Sequence, residues 1–336
     1  MGDSNRNRNG LYFGCCPLFL VALFAGIPAS ALECDQYFAW NRTIADATEA
    51  INAKVNMDIA DALAEVNARR DRDTMSCHAV EKRIVDRFIY LIFLKPETWA
   101  TNTSLVDRVP QTPGEELQFR KAYVYGHTSA IDIIRWMPPS PTIEVAGVRL
   151  GTDKLSHLFS EGLWYHRWYR AFRQRGLDDE AALKKAVLRG VMTERTILGG
   201  TSSGVLSLGD LEANYAGMRF YNGFCDAPEP NLSKGPAGWT VARPFDLAAY
   251  VSPEWDESWQ PDIFSKARWK KVRPVLEEYC DALESQRERR EAYKAKESLT
   301  ISEAIVLELV AKGKLADPAQ FTIDAVCGLP KRGLSP

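Results

Sequence analysis

Most of the chain is written in helical periods. Between Thr43 and Arg69, Ile44, Ile51, Val55, Ile59, Leu63 and Val66 recur at near-helical steps among Ala, Asp, Glu and Asn, which predicts an amphipathic helix. A second helix is expected over 78–94; its apolar block, 84–94, is too short to cross a membrane, and Pro96 ends it. Residues 97–117 are polar and contain proline, so they read as loop. Thr142 to Leu150 alternates around Ala146-Gly147, the pattern of a small β-hairpin. Helical periods return at 153–174, 179–198 and 208–222, and again at 264–295 and 301–313. The tryptophan- and proline-rich stretch 227–262 between them is expected to wrap the surface. No repeat and no long Pro/Ser/Gly linker divides the chain. The expected fold is mainly α: a single helical domain over 32–336, a hairpin near 142–150 and a functional core at 143–225.

One apolar run stands apart. Leu11 to Ala29 carries no charge, follows Arg6 and Arg8, and closes on Ala29-Ser30-Ala31, the small–x–small pattern of a cleavage site. Gly14, Pro17, Gly26 and Pro28 punctuate it and no basic cluster follows, so a cleaved signal peptide over 1–31 is expected rather than a membrane anchor. Glu33 before Cys34 makes a poor lipoprotein signal. The mature chain is then periplasmic or secreted, with no transmembrane span. It keeps Cys34, Cys77, Cys225, Cys280 and Cys327, which predict two disulfides and one free thiol in any of fifteen arrangements. All five lie outside the informative stretch 151–222 and read as structural staples.

Charge and composition narrow the chemistry. Lys+Arg 42 against Asp+Glu 44 leaves a formal charge of −2, which argues against a nucleic-acid partner. Four histidines and seven cysteines in 336 residues exclude a His-rich or Cys-rich metal scaffold. Any chemistry must rest on few residues.

Those residues are found on three helices that turn polar groups inward. Asp153 and His157 stand four apart, one turn apart on one face, and Ser160, Trp164 and Trp168 continue the stripe. A bland account makes Asp153 a first-turn acid behind an N-cap Thr152 and His157 a bonded core imidazole. On the next helix, Glu194 lies within the apolar stripe of Leu183, Val187, Gly190, Val191 and Ile197; a carboxylate there is costly unless it is paired, bonded or protonated. On the third, Asp210, Asn214, Gly217 and Tyr221 share a face, opposite the expected solvent pair Glu212 and Arg219. Ser207 with Asp210 also reads as a capping box, which leaves Asn214 and Glu194 unexplained. The economical solution is that Asp153, His157, Glu194, Asp210 and Asn214 meet in one cluster.

The order Asp153-Lys154-x-x-His157, Glu194, Asp210-x-x-x-Asn214-x-x-Gly217 resembles the VanZ-like proteins and related predicted periplasmic lipoproteins over about 70 of 336 residues. VanZ-like proteins are typically integral membrane proteins linked to glycopeptide-antibiotic tolerance. The resemblance implies an envelope role and a shared polar site.

Three functions follow. The first is a hydrolase acting on an envelope component, peptidoglycan or lipid. Asp153, His157 and Asp210 hold a divalent metal ion, Glu194 is general base and Asn214 orients substrate or a ligand side chain, with His157 also counted among the catalytic groups. The second is a lysozyme-like glycan hydrolase using Glu194 and Asp210. The third is a non-enzymatic envelope protein whose cluster is architectural and whose Trp239, Trp255, Trp259 and Trp269 form a partner or lipid surface. The segment Gly199 to Gly204 reads as a helix connection, and His78, His127 and His166 have no partner at diagnostic spacing.

Overall fold

The Leu208–Cys225 helix is buried almost all round because Leu211, Ala213, Ala216, Met218 and Phe220 leave its surface apolar on every side but one. In this computed structural model, which describes residues 32–90, 93–125, 139–198, 204–260, 262–296 and 298–328, that helix is the axis on which the others pack. Against it lies a continuous rod built of Asp153–Ser156, a π-helical turn His157–Glu161, and Gly162–Gln174. The rods cross at two glycines. A Cβ on Gly217 would stand 1.9 Å from the Leu158 carbonyl oxygen, and one on Gly162 would stand 2.5 Å from Gly217 Cα. Only glycine permits that approach. Asp179–Thr193 packs on the other side of the rod, and it ends in a second π-helical turn, Glu194–Leu198.

The mainly helical architecture matches the sequence pattern, and so does the hairpin. Thr142–Val145 pairs antiparallel with Val148–Gly151, and Ala146 and Gly147 turn between them at φ 52° and 78°. The hairpin delivers the chain directly into Asp153. Thr48–Asn67 also forms, burying Ile51, Val55, Ile59 and Val66.

Other elements depart from expectation. The helix expected over 78–94 runs only from Cys77 to Phe88; Ile89–Tyr90 then pairs with Phe93–Leu94 as a short antiparallel ribbon. Its β-branched and aromatic residues favour the pleat over another helical turn. The expected loop 97–117 contains two helices, Lys95–Asn102 and Pro113–Ala122. Both carry proline in the first turn, where it costs no hydrogen bond, and the second starts at a complete capping box between Thr112 and Glu115. The span 264–295 breaks into Lys266–Glu277, a 3-10 segment Cys280–Gln286 and Arg287–Lys294. The stretch 227–262 divides: 227–252 lies largely at the surface as expected, whereas 253–259 and Asp262 turn into the core. Trp239, Trp255 and Trp259 are core residues, Trp40 stacks on Trp259 at 5.1 Å, and Trp269 is half-buried against Phe264, so the four rings do not form the expected tryptophan surface.

Cys77–Cys225 and Cys280–Cys327 are bridged and Cys34 is free and buried, as the odd count requires. Cys34 is no staple and does not lie apart from the site. Its sulfur is 3.3 Å from Thr142 Oγ1, and its side chain fills the space that a Cβ on Gly151, two residues before Asp153, would need. Among the described residues no helix is long and apolar enough to cross a membrane. The expected signal peptide, the segment 199–203 and His127 lie outside the described residues.

Candidate functional site

Asp153, His157, Glu194, Asp210 and Asn214 are all buried. The two rods bring three of them, His157, Asp210 and Asn214, into direct contact. His157 Nε2 is 3.1 Å from Asp210 Oδ1, and His157 Nδ1 is 3.0 Å from Asn214 Oδ1. Asp153, His157 and Asp210 each offer a ligand atom within 4.8 Å of the others, a group able to hold a metal ion. Glu194 stands close enough for the charges of Asp210 and His157 to act on it.

Local structure explains the aim. Ser207 caps the Leu208–Cys225 helix by accepting from Asp210 N at 3.0 Å. The Asp210 carboxylate does not complete the capping box and turns inward instead. Thr152 makes no cap for the preceding rod; its hydroxyl accepts from Thr101 Oγ1 at 3.2 Å. The π-helical turns place His157 to Glu161, five consecutive buried residues, and Glu194 at the site, a distortion often retained where function needs it. Glu212, expected in solvent with Arg219, is buried as well and accepts a hydrogen bond from Thr300 Oγ1 at 2.5 Å; only Arg219 is exposed.

Four further groups complete the cluster. Lys154, fully buried, reaches Asp153 Oδ2 at 2.7 Å, Asp210 Oδ1 at 2.7 Å and Glu257 Oε1 at 2.8 Å. Its stem passes over Gly209, where a Cβ would stand 3.2 Å from Lys154 Cε. Glu257 and Asp262 enter from the stretch 227–262, and no spacing in the sequence announces them. Glu161 had a signal, since it continues the four-residue spacing of Asp153 and His157. With Glu194, Asn214, Trp164, Tyr165 and Trp168 it lines a cavity of about 10 Å³.

The charges are unbalanced. Six carboxylates (Asp153, Glu161, Glu194, Asp210, Glu257, Asp262) face one lysine and one histidine. Burial, reinforced by Asp210, pushes the Glu194 carboxyl up to about 8. Burial likewise raises Glu161, lifts Asp262 to about 7 and holds Glu257 well above the carboxylate range. For His157 burial works against the charged form, but Asp210 and Glu161 outweigh it and raise the imidazole to about 9. Glu161 Oε2, Glu194 Oε2, Asp153 Oδ1 and Glu257 Oε2 are buried without a hydrogen-bond partner. Such a site must take up protons or a cation.

No family model, curated protein or solved structure matches this chain. The reading of the site therefore rests on its own geometry.

His78 and His166, which have no partner at diagnostic spacing in the sequence, form a second cluster around Glu81. His166 Nε2 is 2.8 Å from Glu81 Oε1 and His78 Nδ1 is 2.9 Å from Glu81 Oε2. Burial disfavours the Glu81 carboxylate, yet His166 and His78 hold it below the ordinary range. Cys225 lies beside His78 and Glu81, but its sulfur is committed to Cys77 and is no thiolate ligand.

Proposed function

We propose that this is an exported envelope protein and a divalent-metal-dependent hydrolase, with Asp153, His157 and Asp210 as ligands and Glu194 as general base. The observation that carries the reading is the excess of buried carboxylate oxygens lacking a donor around one imidazole. An oxygen-and-imidazole donor set of this kind suits a divalent cation. Asp153 Oδ1 is free to ligate while Oδ2 keeps Lys154. His157 must give up its proton before it can ligate. A cation beside Glu194 would lower its pKa toward neutrality, where a general base works best. Asn214 orients His157, so its part is positioning rather than substrate contact. The two disulfides suit an oxidising compartment, and the resemblance of residues 153–217 to VanZ-like proteins supports an envelope substrate, peptidoglycan or lipid.

The lysozyme-like alternative loses support from geometry. Asp210 Oδ1 is shared between Lys154 and His157, which leaves it poorly placed as the second acid. The architectural reading keeps one observation in its favour: Lys154 ties three carboxylates together as a structural network would.

Elemental analysis of the purified protein, with titration of Zn²⁺ and Mn²⁺, separates them. The hydrolase reading expects about one ion per chain in the wild type and none in His157→Ala. It also expects Glu194→Gln to keep the ion and lose release of soluble products from sacculi or phospholipid. Metal-free wild-type protein that binds neither ion, with both variants altered only in thermal stability, would leave the architectural reading standing.

A further inference from the structure

Glu257 and Asp262 line a second cavity of about 10 Å³, room for one water-sized group, and neither Lys154 nor His157 is among its lining residues. Tyr37, Tyr125 and Phe264 supply aromatic wall and Gln260 a further polar group. Each carboxylate has one oxygen bonded, and the single Ser207 hydroxyl proton, which goes to Glu257, lies within reach of Asp262 as well. Glu257 Oε1 takes Lys154 at 2.8 Å and also accepts from Ser207; Asp262 Oδ2 accepts from Tyr125 Oη at 2.8 Å. Glu257 Oε2 and Asp262 Oδ1 are buried and without a donor, and each residue is only 3% exposed.

The occupant that fits is small, positively charged and rich in hydrogen-bond donors. Two acidic oxygens repel anions. Aromatic faces attract cations but offer no ligand atoms, so a hard divalent ion wanting six or more oxygens is poorly served. A tetrahedral ammonium group can donate to both idle oxygens and to Gln260 while resting against the rings. We propose that this cavity is a binding site for a free ammonium ion, the ammonium species that a water-sized space admits. The inference stands independently of the hydrolase reading, because it uses neither the metal ligands nor Glu194.

Thermal melts of the wild-type protein in ammonium, potassium and tetramethylammonium chloride at equal ionic strength test it, together with ¹⁵NH₄⁺ NMR. Ammonium at about a hundredfold over its Kd should raise Tm by about 5 °C above the other salts and give a protected ammonium resonance. Asp262→Asn should abolish both effects. Phe264→Leu should weaken them and serves if Asp262→Asn does not fold. An equal rise with potassium would make this an alkali-cation site and overturn the proposal. No rise with any salt would mean that water or a shared proton fills the cavity, which overturns it too.

Discussion

One oxygen of Asp210 serves two cationic partners: Lys154 Nζ at 2.7 Å and His157 Nε2 at 3.1 Å. All three side chains are buried, and they join the rod 153–174 to the Leu208–Cys225 helix. Removing the shared anion leaves two buried cationic groups short of their partner, which costs far more than a surface ion pair. Asp210→Asn is expected to destabilise the fold by about 3–5 kcal/mol in urea unfolding. Lys154→Met in that background should restore part of the loss, so the double-mutant cycle should be strongly non-additive.

Metal affinity should depend on pH through His157. Its proton is held up to about pH 9 by Asp210 and Glu161 against the effect of burial. Binding must expel that proton, so affinity should rise as pH rises from 6 toward 9. Calorimetry in buffers of different ionisation enthalpy should show about one proton released per ion at pH 7. Release of none would remove His157 from the ligand set.

Glu212 gives a stability prediction away from the cluster. Burial lifts its carboxyl from 4.5 to about 7. Between those values the folded protein holds a proton that the unfolded chain has released, so this group's contribution is complete below pH 4.5 and is lost as pH rises through 7. Glu212→Gln should therefore match the wild type near pH 4.5 and gain on it by roughly 3 kcal/mol at pH 8. Denaturant melts at the two pH values check the sign.

At the helix crossing, Gly217→Ala should be severely destabilising because the new methyl would stand 1.9 Å from the Leu158 carbonyl. Backbone must move to admit it, and a loss of about 3 kcal/mol or more is expected. Gly223→Ala, on the same helix with open space at its Cβ, is the control and should be neutral or slightly stabilising. A calorimetric comparison of the two distinguishes crowding from helix propensity.

The helical character of this chain, its hairpin and the inward aim of Asp153, His157, Asp210 and Asn214 were legible in the sequence. Periodicity is a local property, and a polar residue inside an apolar stripe declares its burial before any neighbour is known. Glu161 was equally legible by spacing, one turn beyond His157. What covers those helices was not. Lys154 acquires its third carboxylate only because the stretch 227–262 dives beneath Gly209, a long-range packing event with no periodic signature. The same event buried Trp255 and Trp259, which composition alone had assigned to a surface. His78 and Glu81 are a local pair three apart on one helix, but His166 reaches Glu81 from a second helix only through packing. Local pattern decides which face of an element turns from water, whereas which faces then meet depends on volume, close approach at Gly162 and Gly217, and the cost of leaving a buried charge alone. Those are properties of the assembled chain.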